Sequence, residues 1–190
     1  MMITTSTTAQ VPGEHAAAPR DAQLQALLDK DALYELAVRY ARAIDRRDRA
    51  LLLSVYHEDA VDDHGVMFKG SAAAFADWQP EVMAPFEVTA HYIMNTSYRL
   101  DGDHAQGELY FVAYHRTKAP DAKEVVIGGR YLDRYERRAN VWKIAHRTLV
   151  WDFSREHPLD PAQRDFLASL GESGCGNDDV SFGVLPFFER

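Results

Sequence analysis

Asp45 is the residue around which chemistry in this chain would be built. From Asp31 to Asp48 the sequence reads DALYELAVRYARAIDRRD. At about 100° per residue, Leu33, Leu36, Ala37, Tyr40, Ala41 and Ile44 form one apolar stripe, and Val38 widens it. Glu35, Arg39, Arg42 and Arg46 gather on the other side, whereas Asp45 falls between Ala41 and Val38, inside the apolar arc. A carboxylate near a helix C-terminus faces the negative end of the dipole and is no cap. Either it is solvated at a frayed helix end, or it has a cationic or hydrogen-bonding partner elsewhere, because unpaired burial costs on the order of several kcal/mol. His91 is the partner taken here, on grounds given below. A second group, His57, Asp59, Asp62, Asp63 and His64, has the side-chain types that hold a hard or borderline divalent ion. Its spacing fits no metal motif, and it reads as a solvated helix end and hairpin turn.

The elements that must position these residues follow from the pattern of the chain. With 190 residues, 46% of them hydrophobic, the chain is large enough for one domain with a core and a cavity in it. A net charge of −8 disfavours a polyanion partner. The arginine-dense run Arg130 to Arg138 is interleaved with Asp133 and Glu136 and reads as the solvated side of a strand. The single cysteine, Cys175, excludes an internal disulfide. Neither a signal peptide nor a membrane span is visible, so a soluble, cytoplasmic protein without nucleic-acid or membrane partners is expected.

Residues 1–20 read as a disordered leader, residues 21–153 as the folded domain, and residues 154–190 as a C-terminal helix and apolar tail. Leu24, Leu27 and Leu28 suggest a short helix over Asp21–Asp29 ahead of the main one. Asp48 is placed as the N-cap of a second helix running through Tyr56. Ala60–Asp63 and Val66–Phe68 form a small hairpin around His64-Gly65. Ser71 caps a helical stretch through Trp78, and Pro80 and Pro85 bracket a last turn. Four strands follow, Phe86–Leu100, Ala105–Thr117, Val125–Arg137 and Val141–Phe153, joined by turn signals into an antiparallel meander. Helices first and strands after give an α+β fold. Gly128-Gly129 predicts a bulge or bend. In the second strand Leu109, Phe111 and Ala113 share one face while Tyr110, Val112 and Tyr114 share the other; both are apolar, so a neighbouring subunit is expected over the second. The chain leaves the sheet after Trp151, Asp160-Pro161 starts a helix to about Leu170, and the apolar Val180–Phe188 is expected to pack over the sheet, a pocket mouth or another subunit.

A curled meander closed by helices, with a buried acid at a helix end, describes a cone with an interior pocket. Three segments carry a resemblance to a known family: YARAIDRRD at Tyr40–Asp48, TAHYIMNTSYRLDGDHA at Thr89–Ala105 and DRYERRANVWKIAHR at Asp133–Arg147. They resemble the SnoaL-like, nuclear transport factor 2-like proteins, cystatin-like α+β cones. The nearest likeness is to the hexachlorocyclohexane dehydrochlorinases, with bile-acid 7α-dehydratase and scytalone dehydratase further off. The resemblance implies a catalytic dyad of Asp45 and His91, with His91 as base, Asp45 as its orienter and Arg147 in the pocket. Tyr40 stands where the dehydrochlorinases have Lys and the bile-acid enzymes Tyr, which favours a leaving or enolising oxygen over a halide. His115 is implied as a second acid, and Leu109, Phe111 and Ala113 as pocket wall. The expected activity is a cofactor-independent lyase or isomerase reaction, dehydratase-like, on a small hydrophobic ring substrate, by a dimeric or trimeric homo-oligomer. Two other readings share this fold: a non-catalytic subunit like the small subunit of aromatic-ring dioxygenases, and a hydrophobic-ligand-binding protein.

Overall fold

The computed structural model describes residues 19–120, 122–171, 174–176, 179–185 and 187. The expected leader therefore lies, up to residue 18, outside the described residues. The first helix, α1 (Arg20–Asp45), is continuous and not divided at Asp29. The Asp29 carboxylate accepts from Gln25 at 3.1 Å, from the Trp142 indole at 2.9 Å and from Arg137 at 3.0 Å. The polar residue that suggested a break thus ties α1 to the sheet. Leu33, Leu36, Ala37, Tyr40 and Ile44 are buried as the apolar stripe requires, while Val38 stays exposed.

Asp48 caps α2 (Arg49–Ser54), accepting from the Leu51 N–H at 2.9 Å. The helix ends before Tyr56, which instead opens β1 (Tyr56–Asp63). The hairpin around His64-Gly65 is present, but its second arm is β2 (Lys69–Ser71) and not Val66–Phe68. Ser71 caps α3 (Ala72–Met83) through the Ala74 N–H at 3.2 Å. This helix continues past Trp78 and through Pro80. Its last turn brings Val82 and Met83 onto a cavity, and that burial offsets the hydrogen bond that proline removes.

The meander consists of β3 (Phe86–Asp101), β4 (His104–Thr117), β5 (Lys123–Arg138) and β6 (Val141–Pro158), each antiparallel to the next. The tight turns sit at positive φ, Gly102 at +57° between β3 and β4, and Ala139 and Asn140 at +50° and +62° between β5 and β6. Two expectations are corrected here. The hairpin joins the sheet, with β1 parallel to β6, so the sheet is mixed and six-stranded in the order β2-β1-β6-β5-β4-β3. The chain also does not leave the sheet at Trp151, because the backbone of β6 keeps pairing with β5 as far as Lys123 opposite Pro158. At Gly128-Gly129 the register shifts, Gly128 facing Phe153 and Gly129 facing Trp151.

Asp160 caps α4 (Pro161–Leu170), accepting from the Ala162 N–H at 2.9 Å. The described part of the tail, including α5 (Ser181–Val184), docks on the C-terminal end of α1. The Gly176 N–H donates to the Arg46 carbonyl at 2.8 Å, Arg46 pairs with Asp179 at 3.3 Å and Arg42 donates to the Ser181 hydroxyl at 3.1 Å. None of its described residues lines the cavity; residues 186 and 188–190 lie outside the described residues. No helix among the described residues is long and apolar enough to cross a membrane.

Candidate active site

Asp45, the last residue of α1, faces His91 on β3. One carboxylate oxygen accepts from the His91 Nδ1 at 2.7 Å and the other from the His91 backbone N–H at 2.9 Å. The His91 and Asp45 side chains are 8% and 11% exposed, so this pairing answers the question the apolar arc raised. An ionised carboxylate only accepts hydrogen bonds. Nδ1 therefore carries the hydrogen, and in the neutral ring the lone pair lies on Nε2.

His91 lines a cavity of about 210 Å³ enclosed by α1, α3 and the concave face of the sheet. Its wall is mostly apolar, with Ile44, Phe75, Trp78, Met83 and Ile127 among the residues that form it. Phe111 and Ala113 line it as the sequence implied. Leu109 does not, being fully buried one repeat further along β4 in the core.

His115 also lines the cavity, its ring centroid 5.5 Å from that of His91 and 4.7 Å from that of Phe86. Its Nδ1 is buried and has no hydrogen-bond partner. Burial, then the electrostatic influence of the neighbouring His91 ring, pushes its pKa down to about 4, with Asp45 working the other way. A neutral imidazole at ordinary pH is a poor choice for the second acid. Tyr40 lines the cavity edge-on to Tyr131, 5.5 Å between centroids. Burial holds its phenol well above the ordinary value, so the hydroxyl remains protonated and can donate.

Arg147 departs from expectation. It is absent from the cavity wall. Its Nε and Nη2 donate to the two oxygens of Asp133 at 2.8 and 2.7 Å, and both side chains are 0% exposed. The guanidinium lies over both the Tyr40 and the Tyr131 ring, 4.1 Å from each centroid. The reason lies in β5, where Tyr131, Asp133 and Tyr135 all face inward and the register sets Asp133 opposite Arg147. Asp133 is thus no part of a solvated strand face. Arg147 is a charge behind the two tyrosines that form the wall, with its Nη1 unpartnered.

The acidic cluster also resolves differently. His57 meets the Glu136 carbonyl at 2.9 Å, Asp59 pairs with Arg138 at 2.7 Å and Asp63 with Lys69 at 2.6 Å. Among the described residues no three His, Cys, Asp or Glu side chains are grouped to hold a metal ion. Asp62, however, is fully buried and bonds His64, and His64 lines the cavity. From the sequence these two were named only within the possible metal-ligand group and read as solvated, and the wall residue Tyr131 was not singled out. The available signal was the alternation in β1, where Asp62 follows the inward-facing Ala60 by two.

The SnoaL-like domain family matches residues 25–148. An uncharacterized protein of Mycobacterium tuberculosis is 30% identical over 123 residues, 63% of this chain and 82% of that one. The hexachlorocyclohexane dehydrochlorinase LinA-type3 of Novosphingobium barchaimii has the same fold, with a TM-score of 0.63 at 20% identity over 73% of this chain and 95% of that one. A scytalone dehydratase-like protein of Novosphingobium aromaticivorans gives a TM-score of 0.64 at 18% identity, over 73% and 93%. The helices held in a curled sheet are therefore the cystatin-like α+β fold of nuclear transport factor 2-like proteins, and the chain belongs to the SnoaL-like family.

Proposed function

We propose that this protein is a cofactor-independent lyase or isomerase in which His91 removes a proton from a carbon of a small ring substrate. The observation that carries the reading is the double contact of Asp45 with His91. The carboxylate fixes both the ring and the adjoining backbone, selects the tautomer with a free Nε2, and balances the imidazolium as it forms. The cavity supports the choice of substrate. At about 210 Å³ it lies below the roughly 300–1,000 Å³ of drug-sized sites, which suits a single ring. Its apolar wall would hold the ring by burial, and Tyr40, a neutral donor with Arg147 behind it, would steady negative charge developing on an oxygen.

The test is a screen of ring ketones, alcohols and halides in deuterated water, following deuterium incorporation and elimination by NMR. Turnover that falls about 10²-fold or more in His91→Ala supports the reading. Turnover indifferent to that change overturns it, and binding without turnover marks a ligand-binding protein instead. Activity of the isolated chain would also exclude a purely structural subunit.

A further inference from the structure

A second histidine-carboxylate pair reaches the same cavity, built at the β1 end of the sheet and not on β3. His64 follows the end of β1, and its Nδ1 lies 2.5 Å from one oxygen of Asp62. The other Asp62 oxygen accepts from the Tyr56 hydroxyl at 2.5 Å. Asp62 is 0% exposed and Tyr56 2%, so this carboxylate is wholly withdrawn from water with both oxygens occupied. The His64 side chain is 11% exposed, its ring stacks on Phe75 at 4.9 Å, and it lines the same cavity as His91. As with His91, the Asp62 carboxylate takes the Nδ1 hydrogen; it also balances the imidazolium form of the ring, whose Nε2–H is then the proton His64 can give. The hairpin does not need this pair to hold its turn. Gly65 N–H donates to Asp63 at 2.9 Å, Lys69 pairs with Asp63 at 2.6 Å, and the His64 N–H donates to the Phe68 carbonyl at 2.7 Å. A buried carboxylate costs on the order of several kcal/mol to desolvate, and here it is spent on aiming a histidine at the wall of a cavity.

We infer that His64 is a second catalytic residue, the proton donor to a substrate oxygen, with Asp62 and Tyr56 as its positioning residues. The inference rests on His91 being the base and extends that reading to a substrate class, a small ring ketone or ring alcohol. In the sheet order β1 and β3 are separated by β6, β5 and β4, so the curl brings the two pairs to one cavity from different sides. With a ketone, His91 takes the α-proton, the C–H pair becomes the C=C of the enol, and the carbonyl oxygen takes a proton from the His64 imidazolium. With an alcohol, the same pair expels the hydroxyl, which leaves as water with the His64 proton. His91 ends protonated and His64 neutral, and exchange with solvent restores both. His115, neutral and without a carboxylate partner, is less suited to this task.

The probe is cyclohexanone, labelled with carbon-13 at the carbonyl, in deuterated water. The expected result is α-deuteration that falls about 10²-fold in His64→Gln. Alongside it, the bound carbonyl resonance should be shifted downfield in the wild type and in His91→Ala but not in His64→Gln. Deuteration that needs His91 and is unchanged in His64→Gln overturns the inference while leaving the His91 reading intact. A downfield shift that needs His64, with no deuteration by any form, supports the oxygen contact and overturns the His91 reading. Absence of both overturns both. Tyr56→Phe, which removes one hydroxyl, serves if His64→Gln does not fold. Loss in kcat with KM unchanged supports the positioning role, and wild-type kcat contradicts it.

Discussion

At the scale of single residues, the site is a set of buried polar groups whose burial is made tolerable by specific partners. Asp45 has His91, Asp62 has His64 and Tyr56, and Asp133 has Arg147 and Tyr135. His115 lacks such a carboxylate, and stability should register the difference. Its folded pKa of about 4 lies below the ordinary 6.5. Above pH 6.5 neither folded nor unfolded chain protonates it, and no cost arises. As pH falls from 6.5 toward 4 the unfolded chain takes up a proton that the folded chain refuses, so stability declines by roughly 3 kcal/mol from this group. Urea unfolding at pH 7 and pH 4.5 should show a smaller acid-induced loss in His115→Asn than in the wild type; equal losses would contradict the assignment. Asp45 was legible in the sequence because a helix of regular period makes one misplaced charge conspicuous. Asp133 and Asp62 were not, since in strands every second residue changes face and an acid among other charges looks solvated until the register is known.

Among the elements, the meander and its turns were legible because their signals are local: Asp101-Gly102, Arg138-Ala139-Asn140, and capping residues at Asp48, Ser71 and Asp160. What escaped depends on distant partners. The far end of β6 is exposed and polar, and it is a strand only because β5 supplies a backbone ladder. Continuity of α1 through Asp29 depends on Trp142 and Arg137, more than 100 positions away. The bend at Gly128-Gly129 illustrates both kinds. Its glycines were visible, but their necessity comes from the fold, where a Cβ on Gly129 would collide with the Val150 carbonyl and crowd the Phe111 ring on the cavity side. Gly129→Ala should therefore destabilise by about 1–3 kcal/mol and disturb the wall beside His91. Denaturant midpoints would measure this, and an unchanged midpoint would show that the bend absorbs a methyl group.

At the scale of the whole molecule, the sheet has two apolar faces; α1 and α3 cover the inner one, while on the outer one α4 reaches only the end that carries Glu87, Val88, Tyr114 and Arg116. On the outer face Tyr92, Tyr110 and Phe153 are 58%, 39% and 47% exposed. Tyr92 faces Val112, and Val112 and Phe153 both face Gly128, so they form a cross-strand row. An apolar row on a strand surface is the composition of an interface core, and self-association through it is the predicted outcome. Sedimentation equilibrium should find an oligomer in the wild type and a shift toward monomer in Val112→Glu. A monomer at all concentrations would remove the oligomer from the account and leave the cavity chemistry untouched.

The central claim is that Asp45 sets His91 up as a base, and long-range proton–nitrogen NMR of the His91 ring tests it most directly. In the neutral ring the account predicts hydrogen on Nδ1 and a bare Nε2 in the wild type, and loss of that preference in Asp45→Asn, where an amide can donate to Nδ1. Hydrogen on Nε2 in the wild type, or a tautomer that ignores Asp45→Asn, would contradict it.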